Sequence, residues 1–81
     1  AEVERAASYF TAGRDDEALR HCERALALEP SFEGLKLLGQ IAERGGDRRR
    51  ARHAWRLALA TGGDPPQRAL VQALLLGVEP A

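Results

Sequence analysis

Apolar residues recur along this chain at helical spacing, in runs broken by glycine or proline. From Val3 to Thr11 the residues Val3, Ala6, Ala7, Tyr9 and Phe10 share one helical face, and Gly13 supplies a left-handed stop. Asp15, Asp16 and Glu17 then open a second helix, where negative charge suits the N-terminal end of the dipole. Its expected inward residues are Ala18, Leu19, Cys22, Ala25, Leu26 and Leu28, and Pro30 ends it. Ser31 is placed to cap a third helix carrying Leu35, Leu37, Leu38, Ile41 and Ala42, which stops at Gly45-Gly46. Asp47 caps a fourth, with Ala51, Ala54, Trp55, Ala58 and Leu59 inward and Gly62-Gly63 behind it. The fifth has the clearest start: Asp64-Pro65-Pro66-Gln67 offers an N-cap, prolines in the first turn and a Gln that bonds back. Leu70, Val71, Ala73, Leu74, Leu75 and Leu76 follow before Gly77. Five helices joined by short turns predict antiparallel neighbours and an all-α fold.

Sliding the chain over itself by 33 residues aligns Ala6 with Gly39, Gly13 with Gly46, Ala18 with Ala51 and Ala25 with Ala58. Cys22 then meets Trp55, and Leu26 meets Leu59. Small residues recur where helices approach closely, and apolar ones where a core is filled. Such a period is the signature of stacked repeats.

The segment Gly13-Arg14-Asp15-Asp16-Glu17-Ala18-Leu19, followed by Cys22 and by Ala25-Leu26-Ala27-Leu28-Glu29-Pro30, resembles the second half of a tetratricopeptide repeat. Gly46 to Ala51 with Trp55 and Ala58-Leu59 is similar to the same half of a following unit. The family's first-helix signature, a Leu-Gly pair and then an aromatic, is partly present: Leu38-Gly39 precedes Ala42, and Arg5-Ala6 precedes Tyr9. The family repeat is about 34 residues, so the shorter period places a lost residue in the turn after Pro30. The resemblance covers residues 1 to 63 and implies a right-handed α-solenoid of two helical hairpins closed by a fifth helix. The chain divides as repeat one over 1–30, repeat two over 31–63 and a capping helix over 64–77, all within a single domain.

In such arrays the first helices of successive repeats line a concave groove that holds a peptide or a helix of another protein. The resemblance assigns Val3, Ala7, Phe10 and Thr11 to that groove from the first repeat, and Lys36, Gln40, Glu43 and Arg44 from the second. The same period carried into the fifth helix adds Ala69, Ala73 and Leu76. Core packing is the competing reading of Val3, Ala7 and Phe10, since apolar helix faces are core by default. Some members clamp a chaperone's C-terminal carboxylate with Lys, Asn and Arg side chains; this chain has Lys36 and Arg44 but no asparagine, which argues against that role.

The fifth helix adds a further expectation. Between Ala69 and Val78 only Gln72 and Gly77 are not apolar, too few for a solvated outer face. Some of Leu70, Leu74, Leu75 and Leu76 should therefore be exposed and offer an apolar contact to a partner, a second copy or further repeats.

Composition narrows the function. Twelve basic and twelve acidic side chains cancel, so no overall field draws the chain to nucleic acid or an anionic membrane. The apolar run Ala73 to Gly77 is far too short to span a bilayer. The single cysteine excludes an internal disulfide and fits a reducing compartment such as the cytoplasm, with the periplasm left open. The absence of an initiator Met suggests an excised domain or processed product, and the Ala-, Arg- and Leu-rich composition is that of a GC-rich bacterium. No metal-ligand, phosphate-cradling or nucleophile motif occurs, and adjacent His21 and Cys22 point about 100° apart on a helix. The expectation is a packed Cys22, a surface His21, no metal, no cofactor and no enzyme site. Arg48, Arg49 and Arg50 occupy a helix's first turn, where they oppose its dipole. The matching turn of repeat one is acidic, so attraction between the two turns, within the domain or between copies, stands against a merely solvated arginine face. The resulting reading is an adaptor or scaffold for another protein, with a self-associating structural unit as the alternative.

Overall fold

The computed structural model describes residues 1–79 as five helices: α1 (Glu2–Thr11), α2 (Asp15–Leu28), α3 (Phe32–Arg44), α4 (Arg48–Thr61) and α5 (Pro65–Val78). No strand occurs among the described residues. α1 packs on α2 and α3 on α4, forming two hairpins; α3 joins them through α2, and α5 lies against α4. This is an all-α stack of helical hairpins of the tetratricopeptide-like kind.

The repeat is visible in the backbone. α2 and α4 begin and end 33 positions apart. The turn after α1 puts Gly13 at φ +79°, and the turn after α3 puts Gly46 at φ +86°, a conformation that costs a side-chain-bearing residue energy. Each turn closes with matching bonds: Arg14 N–H to the Tyr9 carbonyl at 2.9 Å, and Asp47 N–H to the Ala42 carbonyl at 2.9 Å. The starts of α3 and α5 correspond too. Ser31 accepts from the Gly34 N–H at 3.0 Å, and Asp64 accepts from the Gln67 N–H at 3.1 Å. α5 thus starts as the first helix of a third unit would.

Two apolar clusters form the core. One gathers Ala6, Ala18, Cys22, Leu37 and Ile41 between the first hairpin and α3. The other gathers Phe32, Leu35, Ala42, Ala51, Trp55, Ala58, Val71 and Val78 between α3, α4 and α5. Trp55 is fully buried and donates its indole N–H to the Lys36 carbonyl at 3.1 Å. It passes directly over Gly39, where even a methyl group would strike the indole.

Several expectations need correction. Leu28 is 77 % exposed rather than inward, because it lies in the last turn of α2, one residue short of the C-cap Glu29. Ala7 is exposed, whereas Tyr9 and Phe10 pack half-buried against the cluster that holds Ala6, the one buried residue of α1. His21 is half-buried, not on the surface: its ring stacks on Tyr9 with centroids 5.1 Å apart, and Nδ1 lies 3.5 Å from Glu2 Oε2. α5 runs one residue past Gly77.

Two of the three first-turn arginines of α4, Arg48 and Arg50, find partners other than the acidic turn. Asp47 caps the helix by accepting from the Arg50 N–H at 3.0 Å, and the Arg50 guanidinium reaches Glu23 at 2.6 Å. Arg48 and Arg52 donate to the carbonyls of Gly77 and Val78 at 3.3 and 3.2 Å, and Arg56 pairs with Glu79 at 2.6 Å. One turn apart, these three arginines hold the C-terminal end of α5, where orphan carbonyls and the negative dipole end favour cations. In the acidic turn of α2, Asp15 is met instead by Arg44 and Glu17 by Arg14.

Candidate partner-binding face

On α1, Val3, Ala7, Phe10 and Thr11 fall at helical spacing, and the hairpin turns them toward α3. There they meet Lys36 and Gln40, with Glu33 and Leu37 beside them, around a cleft of about 280 Å³. Six of the residues assigned to a groove therefore converge. Leu37 and Glu33 were not among them. Leu37 was read as core, which it also is, and its position three residues before Gln40 was the available signal.

The two groove cations are already engaged. Lys36 Nζ donates to Gln67 Oε1 at 2.8 Å and lies 3.9 Å from Glu33, so it is a strut from α3 to α5. Arg44 sits over the Phe10 ring, 3.7 Å from its centroid. Its Nε donates to both Asp15 oxygens at 3.1 and 3.0 Å, its Nη2 also bonds Asp15, and a bond to the Phe10 carbonyl at 2.5 Å completes the set. This hydrogen bonding to Arg44 holds the Asp15 carboxyl below the ordinary aspartate range, and it raises the guanidinium in turn. Arg44, assigned to the groove from the sequence, thus does not line the cleft; it packs on the Phe10 ring, which does. With Lys36 and Arg44 both bonded internally, the cleft floor is apolar and the charges balance.

Glu43 is exposed and lies outside this cleft. Ala69, Ala73 and Leu76 are also exposed outside it, on α5 at the positions that correspond to Lys36, Gln40 and Glu43 of α3. Leu76 is 76 % and Leu70 44 % exposed, whereas Leu74 and Leu75 are partly buried against the α4 cluster. A broader depression of about 650 Å³ lies on the outer side of α1, lined by that helix and its adjoining ends alone and bearing Glu4, Arg5 and Arg14. With no second element facing it, it is an open flank rather than a site.

Among the described residues no three His, Cys, Asp or Glu side chains gather as a metal would need. Burial raises the Cys22 thiol to about 11, with Glu23 adding to the effect, and its Sγ donates to the Gly34 carbonyl at 3.2 Å. Such a thiol is packing rather than a nucleophile. No helix of the described residues is long and apolar enough to cross a membrane.

Hairpins repeated with one turn geometry and one cap geometry define a helical-repeat protein. Residues 3–32, the first hairpin up to the start of α3, match the family model of the tetratricopeptide repeat. The second hairpin and α5 repeat the geometry of that matched segment. No curated protein and no solved structure shows significant similarity to the chain. The tetratricopeptide family generally mediates protein–protein interaction, typically without enzymatic activity.

Proposed function

We propose that this domain is an adaptor or scaffold module that holds a segment of a partner protein on the face formed by α1 and α3. The observation that carries the reading is the cleft in which Val3, Ala7, Phe10 and Leu37 form an apolar floor with Thr11, Lys36, Gln40 and Glu33 around it. Its size suits one or two partner side chains, and helix-in-groove or extended-peptide recognition would supply them. Because both nearby cations are bonded within the domain, the reading favours an apolar anchor over a carboxylate. The test is selection of peptides from a phage-displayed random library, followed by titration into isotopically labelled protein. Shifts should centre on Val3, Ala7 and Gln40, and Ala7→Trp, which fills the cleft from an exposed position, should abolish them without loss of fold. Selected peptides that bind elsewhere, or equally well to Ala7→Trp, would overturn the assignment.

A second reading has its own support. Exposed Leu70 and Leu76 make α5 an apolar contact for a partner helix, and peptides selected against the Leu76→Ser variant would separate the two faces.

A further inference from the structure

The neutral chain is electrically lopsided. Residues 1–30 carry four basic and seven acidic side chains, and residues 31–81 carry eight basic and five acidic, so the two parts hold net charges of −3 and +3. The inversion is register-matched: Asp15, Asp16, Glu17 and Glu23 of α2 correspond, 33 positions on, to Arg48, Arg49, Arg50 and Arg56 of α4. Equivalent places on two helices that run in the same direction therefore bear opposite charge.

Internal pairs absorb only part of this. Asp15 goes to Arg44, Glu17 to Arg14, and Glu23 to Arg50. Asp16 and Arg49 are exposed and make no ion pair among the described residues, and Arg48 bonds only the Gly77 carbonyl. Cations in the first turn of α4 also oppose its dipole. An arrangement unfavourable in the lone chain becomes favourable when an acidic surface is laid over it.

We infer that the outer surface of α2 and α4 is a self-complementary interface, and that its occupant is a second copy of this chain related by a two-fold axis parallel to the two helices. Such an axis sets the first turn of α2 over the first turn of α4 in the other copy. Asp16 then faces Arg49 of the other copy, and the same contact recurs by symmetry. Glu23 and Arg56 lie two turns further along the same surface, with Arg20 and His53 between. The surface is separate from the α1–α3 cleft, so both faces can be occupied together. Exposed pairs alone give a weak, salt-sensitive dimer.

Sedimentation equilibrium of the purified chain up to about 1 mM, at roughly 20 mM and 300 mM salt, tests this. The expected result is a monomer–dimer equilibrium whose dissociation constant rises about tenfold or more with salt. Asp16→Arg and Arg49→Asp should each be folded by circular dichroism and monomeric at low salt. Their equimolar mixture should recover the dimer, because each variant's altered residue then faces its opposite. Four results would overturn the inference: a native monomer under all conditions, assembly that persists in high salt and in both variants, growth beyond the dimer, or a mixture that stays monomeric.

Discussion

The substitution Gly39→Ala isolates the closest approach in the fold. A Cβ built at Gly39 lies 2.1 Å from Trp55 Nε1, 2.4 Å from Cδ1 and 2.5 Å from Cε2. Ordinary contact between such atoms is about 3.5 Å, so the indole must retreat by roughly 1 Å or more. It has little room to do so. Trp55 is fully buried in the cluster with Ala51, Ala58 and Val71, and its N–H is tied to the Lys36 carbonyl one turn from Gly39. Overpacking a filled core costs up to about 3 kcal/mol. Replacing a mid-helix glycine by alanine returns about 1 kcal/mol of helix propensity. The expected net loss is about 2 kcal/mol, or roughly 10 °C in Tm for a domain of this size. Thermal and urea unfolding by circular dichroism measure it, and the chain's single tryptophan reports the same site by fluorescence. Gly77→Ala is the control: it lies within α5 with nothing near its would-be Cβ, so it should stabilise by about 0.5–1 kcal/mol. If Gly39→Ala matched Gly77→Ala in sign, the packing argument would fail.

Other outcomes follow from single contacts. Asp15 is depressed by its bonds to Arg44, so its stabilisation is present above the unfolded value near about 4 and is lost as pH falls through the lower folded value. Urea midpoints measured from pH about 6 to about 2 should therefore fall less steeply in Asp15→Asn than in the native chain; equal slopes would refute the coupling. The Cys22 thiol, pushed up to about 11 and buried, should resist a disulfide reagent at pH about 8 until the protein unfolds, whereas labelling at the rate of a free thiol would contradict its packing. Replacing Arg48 and Arg52 together by Ala should speed amide exchange in the last turn of α5 and leave α1 unchanged; uniform acceleration would mean that these arginines support more than the helix end.

Much of the fold was legible because it is written in punctuation. Gly13, Pro30, Gly46 and Gly62 act within a few residues of themselves, and Ser31, Asp47 and Asp64 cap the helices that follow them as their positions imply. The convergence of α1 and α3 was legible at one remove, through the resemblance to tetratricopeptide arrays, whose first helices line one groove. What stayed hidden depends on where side chains reach after packing. Arg44 has the spacing of a groove residue, yet it bends back onto Asp15 and Phe10, 29 and 34 positions earlier. The arginines of α4 look misplaced when only their own helix is considered. The partners of Arg48 and Arg52 are carbonyls at the far end of α5, and no local pattern announces that contact. Leu28 shows the converse limit: helical periodicity gives it a direction, and only the tertiary stack shows that nothing lies there to cover it.

Among the described residues α3 alone supplies buried members to both apolar clusters, sending Leu37 and Ile41 into one and Phe32, Leu35 and Ala42 into the other, while Leu26 of α2 packs half-buried against both. In hydrogen-exchange terms, the two ends of the molecule are separate opening units that share one hinge-pin. α1 can fray without disturbing Trp55, and α5 can lift without exposing Cys22, but no opening that releases α3 leaves either half standing. Its amides should therefore exchange only through global unfolding, and the slowest of them measure the stability of the whole domain. A ligand between α1 and α3 would close the first of these openings and leave the second free, so that binding would stiffen one end of the domain while the other kept its own rhythm.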